Sequence, residues 1–319
     1  MAGYATLSRL LDARRLRAAG LAVRTDPAAT VPSHDPDPSL LAAVEEPFET
    51  VDGVFDRLRD LERRLREAGD RRAVFLTVYT RMTAAVRDAL DSFADPDWMR
   101  RYTVTFADYY RRAFRDFERG KLDAVPDPWI VAFAAAVEGS ALVAQDAFLA
   151  AVEGSALVAQ DAFLGINAHI NYDLALTLRD VGIDPDRPRK RADHRAINDV
   201  LAGLIDAQQV ALADLYAPGL ADVDATLGRF DEALALFSMT EGRAWAWRVA
   251  TVLTDVRWGL ARRYARWLLR VTATGGAIFV RSPPVDPRIV AALRRAEEER
   301  SLGGALTDLG DRLDRAIEG

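Results

Sequence analysis

The chain has no cysteine among its 319 residues. Disulfide bridges, thiolate metal ligands and cysteine nucleophiles are therefore excluded. Histidine is almost as scarce, since His34, His169 and His194 are the only three. Any chemistry that needs an imidazole must use one of these residues.

Basic charge comes almost wholly from arginine. Lys121 and Lys190 are the only lysines, which leaves 40 of the 42 basic residues as arginine. Acidic residues number 48, so the net charge is −6 at pH 7. Nucleic-acid-binding proteins usually carry an excess of basic residues, so the composition argues against nucleic acid as a partner.

Long apolar runs are missing as well. No stretch of about 18 uncharged apolar residues occurs, so no transmembrane helix is predicted. Near the N-terminus, Arg9, Asp12, Arg14 and Arg15 interrupt the apolar residues, which is unlike a signal peptide. These absences predict a soluble, cytoplasmic protein.

Several catalytic motifs are absent. His-Glu-x-x-His and Glu-x-x-His do not occur, because the residues three before the histidines are Val31, Ile166 and Arg191. This argues against zincins and ferritin-like di-iron bundles. Three histidines are too few for a helical trinuclear zinc phosphoesterase. There is also no phosphate-binding loop, dinucleotide glycine-rich turn or Gly-x-Ser-x-Gly elbow.

Apolar residues recur every three or four positions through most of the chain, which is typical of amphipathic helices. Half of all residues are hydrophobic, enough for a large core. No alternating pattern persists long enough for a sheet. We predict an all-α fold, a multi-helix orthogonal or bundle-like globular domain over residues 41–319. A helix and a Pro/Asp-rich linker would precede it over residues 1–40.

Local signals mark several features of this domain. Ala68-Gly69 predicts the end of one helix, and Asp95-Pro96 predicts the start of another. The aromatic stripe over residues 98–117 is expected to be core rather than a cofactor site. Residues 25–38 contain four prolines and predict a surface loop, in which His34 would be solvated.

The sequence AAVEGSALVAQDAFL occurs twice in tandem, at residues 135–149 and 150–164. Ancient repeats diverge, so we interpret the identity as a recent in-frame duplication or an artefact of cloning or sequence assembly. One copy would rotate the faces of a continuous helix by about 60°. We therefore predict that helices end at the Glu-Gly-Ser of 138–140 or 153–155. The second copy should keep the register of the residues that follow it.

Residues 165–178 form the densest polar stretch within an apolar helical pattern. Steps of four place Gly165, His169 and Asp173 on one face. Gly165 predicts the close approach of another backbone or a ligand, because glycine is costly inside a helix. The other polar residues of this helix, Asn167, Asn171 and Tyr172, are candidate ligand-binding residues.

Two interpretations of this stretch remain open. In the first, His169 and Asp173 ligate a divalent metal, or Asp173 orients the imidazole for acid/base catalysis. In the second, the polar side chains form a buried hydrogen-bond network that locks helices together. A histidine and an aspartate four residues apart do not decide between them.

A second polar cluster is expected near residue 194. His194 and Asn198 share a helix face, Asp199 lies at the edge of the apolar stripe, and Asp193 is a candidate N-cap. We expect this helix to face the central one, which would bring these ligand-binding candidates near His169. The network interpretation applies here too.

Three segments together resemble a known family; they are residues 75–82, 165–174 and 196–201. The resemblance is to the prokaryotic domain-of-unknown-function family 5995, and the middle segment is its most specific part. The resemblance implies an all-helical fold and no particular activity. It also suggests that His169, Asn171, Asp173 and Asn198 belong to the shared centre of the family. The tandem copy just upstream departs from the family pattern.

The leading hypothesis is an enzyme or small-ligand-binding protein with its site between the central helix and the helix near residue 194. His169 would be the acid/base or ligand group and Asp173 its partner. A divalent metal is a candidate cofactor, and the oligomeric state is not indicated. The competing hypothesis is a non-catalytic helical scaffold or interaction protein.

Overall fold

The computed structural model describes residues 13–145, 157–220, 239–256, 258–282, 293–295, 297 and 302–318. All regular structure in these ranges is helical, without a strand, which confirms the all-α prediction. None of the helices in them is long and apolar enough to cross a membrane. The α-helices are α1 (Ala13–Ala22), α2 (Pro38–Val44), α3 (Val51–Glu67), α4 (Ala73–Asp88), α5 (Pro96–Glu118), α6 (Asp127–Gln145), α7 (Val158–Ala168), α8 (Leu174–Val181), α9 (Arg187–Leu220), α10 (Met239–Asp255), α11 (Gly259–Arg281) and α12 (Leu302–Glu318).

Helix ends follow the local signals. The side chain of Asp95 accepts a hydrogen bond from the backbone N–H of Trp98, and Pro96 is the first residue of α5. Helix α3 ends at Glu67. Ala68 is its C-cap, and Gly69 follows with a φ of +67°. A positive φ is inexpensive only for glycine, so this residue type fixes where α3 stops. Both predicted ends are confirmed.

The core contains the aromatic stripe of α5. The stripe includes Trp98, Tyr102, Tyr110, Phe114 and Phe117, all of which are buried. Large aromatic side chains bury much apolar area each, so this one helix contributes strongly to folding stability. Most of the stripe is core, as predicted, while Phe106 and Tyr109 are only partly buried.

The central polar segment runs through the middle of the helices. Helix α7 packs on α4, α6 and α11, while α8 packs on α5 and α10. A π-helical turn at His169–Asp173 joins α7 to α8 and contacts α5, α10 and α11. The polar residues of this segment are therefore enclosed by helices from distant parts of the sequence.

The N-terminal helix α1 packs closely along α11. A Cβ atom at Gly275 would lie 2.7 Å from Cα of Ala18 and closer still to its carbonyl group. Only glycine at position 275 permits this approach of the two backbones. Helix α1 therefore lies directly against a helix of the predicted main domain.

The tandem copies are accommodated differently from the prediction. Helix α6 continues through residues 138–140 to Gln145, so the predicted end in the first copy is wrong. The side chain of Arg71 lies over Gly139, where a Cβ atom would be 2.8 Å from its Cδ. The close contact with Arg71 therefore requires a glycine at position 139, inside the helix. The Glu-Gly-Ser at 153–155 lies outside the described residues.

The chain starts a new helix near the end of the second copy. Leu157 is extended, and its backbone N–H donates to Oε1 of Gln160 at 2.8 Å. Helix α7 then runs from Val158 through Gly165 without interruption. This continuity agrees with the expectation that the second copy sets the register of the central segment.

His34 is not solvated, contrary to the prediction. Its ring stacks on Phe117 with 5.1 Å between centroids, and its Nε2 lies 3.8 Å from Oε2 of Glu118. The proline-rich segment therefore packs against α5 at this point. Because this contact depends on a residue more than eighty positions away, local composition could not predict it.

Candidate functional site

The π-helical turn consists of five residues, His169–Asp173. The backbone N–H of Leu174 donates to the carbonyl of His169, five residues back. Single π turns inside α-helices are rare and occur frequently at functional sites. Both residues predicted as catalytic, His169 and Asp173, lie at its ends.

His169 and Asp173 form a directly hydrogen-bonded pair. Nδ1 of His169 lies 2.9 Å from Oδ2 of Asp173, and Nε1 of Trp129 donates to the same oxygen at 2.8 Å. His169 and Asp173 are only 1% and 0% exposed. The carboxylate of Asp173 accepts both bonds, so the proton of the imidazole lies on Nδ1.

Burial determines the charge of this pair. It lowers the pKa of His169 below the ordinary value, although the hydrogen bond to Asp173 opposes the shift. It also raises the pKa of Asp173, while the bonds from His169 and Trp129 act against that shift. His169 is therefore neutral at pH 7, with a lone pair on Nε2.

Nε2 of His169 has no hydrogen-bond partner within the described part of the chain, although it is buried. Oδ1 of Asp173 is also buried and has no hydrogen-bond partner among the described residues. An unsatisfied buried polar atom costs roughly 1–3 kcal/mol. Such atoms are uncommon in folded proteins, because buried polar groups normally bond to protein, water or a ligand. The unpaired Nε2 therefore marks a position where a bound molecule would gain a hydrogen bond.

Aromatic rings surround the imidazole of His169. The ring of Phe106 lies parallel to it, with 3.6 Å between centroids and 9° between planes. The edge of Tyr79 approaches at 4.6 Å, and Phe75, Tyr110 and Trp129 complete the enclosure within 6.2 Å. These rings exclude water and fix the orientation of the imidazole.

A cavity of about 60 Å³ lies beside His169. This is less than half of the ~150 Å³ of an apolar cavity that binds benzene, and the cavity is partly open, so a longer ligand would extend beyond it. Helices α4, α5, α9 and α10 and the central segment all contribute to its walls. Most of the wall is hydrocarbon, including Val78, Met82, Ile197 and Leu201. Its polar side chains are His169, Arg243 and the hydroxyl-bearing Tyr79, Thr83, Tyr102 and Thr103.

Asn167 connects two helices and Asn171 bonds to Asn167, and neither residue lines the cavity. Nδ2 of Asn167 donates to the carbonyl of Ala273 in α11 at 2.8 Å, and Nδ2 of Asn171 donates to Oδ1 of Asn167 at 3.1 Å. At Gly276 a Cβ atom would lie 2.8 Å from Oδ1 of Asn167. These contacts are those of an interhelical network.

Tyr172 and Asp199 also lie away from the cavity walls. Tyr172 is half-buried, and burial raises the pKa of its hydroxyl to about 12. Asp199 is exposed on the outer side of α9. The structure therefore does not bring these two ligand-binding candidates to His169.

The second predicted cluster holds an arginine. Nε2 of His194 donates to the backbone carbonyl of Arg243 at 3.0 Å, and its Nδ1 accepts from the hydroxyl of Tyr102 at 3.1 Å. Arg243 donates from Nη2 to the carbonyl of His194 at 2.6 Å and from Nε to Oδ1 of Asn198 at 2.8 Å. Burial and the nearby Arg243 lower the pKa of His194, which is therefore neutral.

Asp193 does not cap its own helix, because α9 already begins at Arg187. Its carboxylate instead accepts hydrogen bonds from the backbone N–H groups of Ala94 and Asp95, at 2.7 and 2.8 Å. The N-cap prediction for Asp193 is wrong. The residue connects α9 to the start of α5.

Sequence reasoning missed Arg243 and Trp129 as members of the site. A signal for Arg243 was present, because it shares a helix face with Ala246, Trp247 and Ala250, at spacings of three, four and seven. These three residues are buried. A charged residue within an apolar stripe indicates a polar group directed into the interior.

The metal hypothesis lacks a ligand set in the described ranges. No three histidine, aspartate or glutamate side chains come together there in a way that could hold a metal ion. Nδ1 of His169 and Oδ2 of Asp173 are bonded to one another, so they do not converge on a common point.

The family model described as "Family of unknown function (DUF5995)" matches residues 51–153 and 146–283. The chain belongs to this family. The DUF5995 match includes the cavity wall from Phe75 to Arg243 and the whole central segment. Its two regions overlap at residues 146–153, across the junction of the two identical copies. No match was found among curated proteins or among solved structures.

Proposed function

We propose that this DUF5995 protein binds a small, largely apolar molecule in the cavity beside His169. Nε2 of His169 would accept a hydrogen bond from the single donor group of that molecule. The observation that carries this proposal is the buried, unpartnered Nε2 on a ring that lines the cavity. A hydroxyl or N–H of a ligand would satisfy it.

The hydrogen bonds of Asp173 support an acceptor role for Nε2. Since Asp173 takes the Nδ1 proton of His169, the lone pair is left on the opposite side of the ring. A carboxylate bonded to one imidazole nitrogen also increases the basicity of the other. His169 is thus in the protonation state that a general base requires at neutral pH.

The apolar walls would select for hydrocarbon. Burial of apolar surface contributes about 25 cal/mol per Å². None of the described residues that line this cavity is an aspartate or glutamate, so a cationic ligand would lose its hydration without gaining a partner there. Uncharged or anionic ligands are therefore favoured over amines.

A purely structural network is the alternative. Asn167 and His194 fit it because their bonds join different helices, and Asn171 fits it because it bonds to Asn167. His169 differs from them, since one of its two ring nitrogens has no described partner. The two functions are separable by binding measurements.

The test is calorimetric titration with butanamide, hexanamide and octanamide, whose N–H groups can reach an acceptor. We expect saturable binding of one equivalent for at least one chain length. The His169→Phe variant keeps a ring against Phe106 but has no acceptor, so its affinity should be roughly threefold to tenfold lower. The matched control is His34→Phe, whose ring stacks on Phe117 and is not part of the cavity wall.

Circular dichroism would verify that both variants are folded. Absence of saturable binding to the wild-type protein for all three amides would contradict the proposal. Equal affinities of the wild-type protein and His169→Phe would contradict the assigned role of Nε2.

A further inference from the structure

Arg243 is a buried cation without a carboxylate partner in the described part of the chain. It is 3% exposed and lines the cavity. The other three buried arginines are each paired: Arg71 with Asp161, Arg72 with Glu118 and Arg111 with Asp108, at 2.7, 2.5 and 2.5 Å. A buried charge is expensive unless an opposite charge compensates it.

The hydrogen bonds of Arg243 are all to neutral groups. It donates to the backbone carbonyl of His194 and to the amide oxygen of Asn198. His194 is itself neutral, since burial and Arg243 keep its pKa low. These bonds orient the guanidinium but leave its positive charge uncompensated.

We infer that the molecule bound in the cavity carries a carboxylate, which pairs with Arg243 while its hydrocarbon part fills the apolar space. This inference rests on the proposed function and names the class of ligand. Nε and Nη2 of Arg243 are engaged by Asn198 and His194, which leaves Nη1 to donate to a carboxylate. The donor group that His169 accepts from would be a separate group of the same molecule.

A monovalent carboxylate fits this cavity better than a phosphate. The wall supplies one cation, and its remaining surface is mostly hydrocarbon with the neutral His169. A phosphate dianion would bring about twice the charge and more acceptor oxygens than these groups can satisfy. One carboxylate balances one guanidinium.

The experiment compares two compounds of the same chain length. Hexanoate carries a charge for Arg243 but no donor for His169, and hexanamide carries an N–H donor but no charge. Both are titrated calorimetrically into the wild-type protein, Arg243→Gln and Arg248→Gln. Arg248 is exposed on the same helix and is not part of the cavity wall, so it is the matched control. We expect hexanoate to bind the wild-type protein and Arg248→Gln at least about tenfold more tightly than hexanamide. Arg243→Gln should lose this preference.

If Arg243→Gln does not fold, the relative affinity of the wild-type protein for hexanoate and hexanamide tests the inference by itself. Hexanamide binding as tightly as hexanoate, or more tightly, would overturn the carboxylate inference and leave the proposed function standing. Failure of both compounds to bind would overturn the proposed function together with this inference. An unchanged preference for hexanoate in folded Arg243→Gln would show that another group recognises the carboxylate, which also overturns the inference.

Discussion

Phe75 lies directly over the backbone of Gly165: a Cβ atom at Gly165 would be 2.7 Å from Cβ of Phe75 and even closer to its ring. Phe75 also lines the cavity and contacts the ring of His169 edge-on, with 5.9 Å between centroids. The glycine thus allows α4 to approach the central segment and places one wall of the cavity. The expected close approach at Gly165 comes from a side chain rather than from a backbone.

The Gly165→Ala variant should be less stable than the wild-type protein. Alanine favours the helix by up to about 1 kcal/mol, but overpacking against Phe75 costs typically 1–3 kcal/mol. We expect a net loss of about 1–2 kcal/mol in the free energy of unfolding, measured with urea. The matched control is Gly203→Ala on the exposed side of α9, where no clash arises. It should be neutral or stabilising, and a Gly165→Ala protein that behaves like this control would refute the packing argument.

Stability should fall as the pH is lowered from about 7 to about 5.5. Burial lowers the pKa of both His169 and His194 below the ordinary 6.5. In this range the unfolded chain therefore takes up protons that the folded chain does not, which favours unfolding. Each histidine can change the free energy of unfolding by at most about 1.4 kcal/mol per pH unit. Urea denaturation at several pH values measures the slope.

His194→Gln should remove the contribution of His194 to that slope. The raised pKa values of Asp161 and Asp173 have the opposite sign, since the folded chain takes up their protons at a higher pH than the unfolded chain does. The difference between the wild-type slope and the His194→Gln slope therefore isolates His194, and equal slopes would mean that His194 is not neutral in the folded protein.

The Asp173→Asn variant should bind hexanamide as weakly as His169→Phe. The amide group of asparagine would donate to Nδ1 and move the imidazole proton to Nε2, which then no longer accepts. The loss of hydrogen bonds from His169 and Trp129 to a carboxylate should also cost about 1–3 kcal/mol of stability. Asp199→Asn, on the exposed side of α9, is the control and should match the wild-type protein. Wild-type affinity in folded Asp173→Asn would argue against the orienting role of Asp173.

The Asn167→Ala variant should lose stability but not affinity. It removes the bond to the carbonyl of Ala273 and leaves Asn171 without its acceptor, at a cost of about 1–3 kcal/mol. Since Asn167 does not line the cavity, hexanamide should bind the folded variant with the wild-type affinity. A large loss of affinity would mean that the network and the binding site are not separable.

Features encoded by neighbouring residues could be predicted from the sequence. Asp95 and Pro96 start α5 because they satisfy and pre-set the first helical turn, and Gly69 ends α3 because it adopts a positive φ. The pairing of His169 with Asp173 follows from their spacing on one helix. In each case the interacting groups lie within four residues.

Features that depend on distant contacts could not be predicted. The π turn at His169–Asp173 depends on how α5, α10 and α11 pack around it. The pairing of His194 with Arg243 joins residues 49 positions apart, and the contact of Arg71 with Gly139 keeps α6 helical where local signals predicted an end. At these positions, tertiary packing outweighs the local helix propensity of the sequence.

The measurement that tests the central claim most directly is nitrogen NMR of protein labelled with ¹⁵N-histidine. The three histidines are few enough to assign by substitution. We predict that His169 carries its proton on Nδ1, that Nε2 is unprotonated, and that hexanamide shifts Nε2 of His169 while the nitrogens of His34 stay unchanged. A protonated Nε2 in the free protein, or a spectrum of His169 that saturating hexanamide leaves unaltered, would contradict this account.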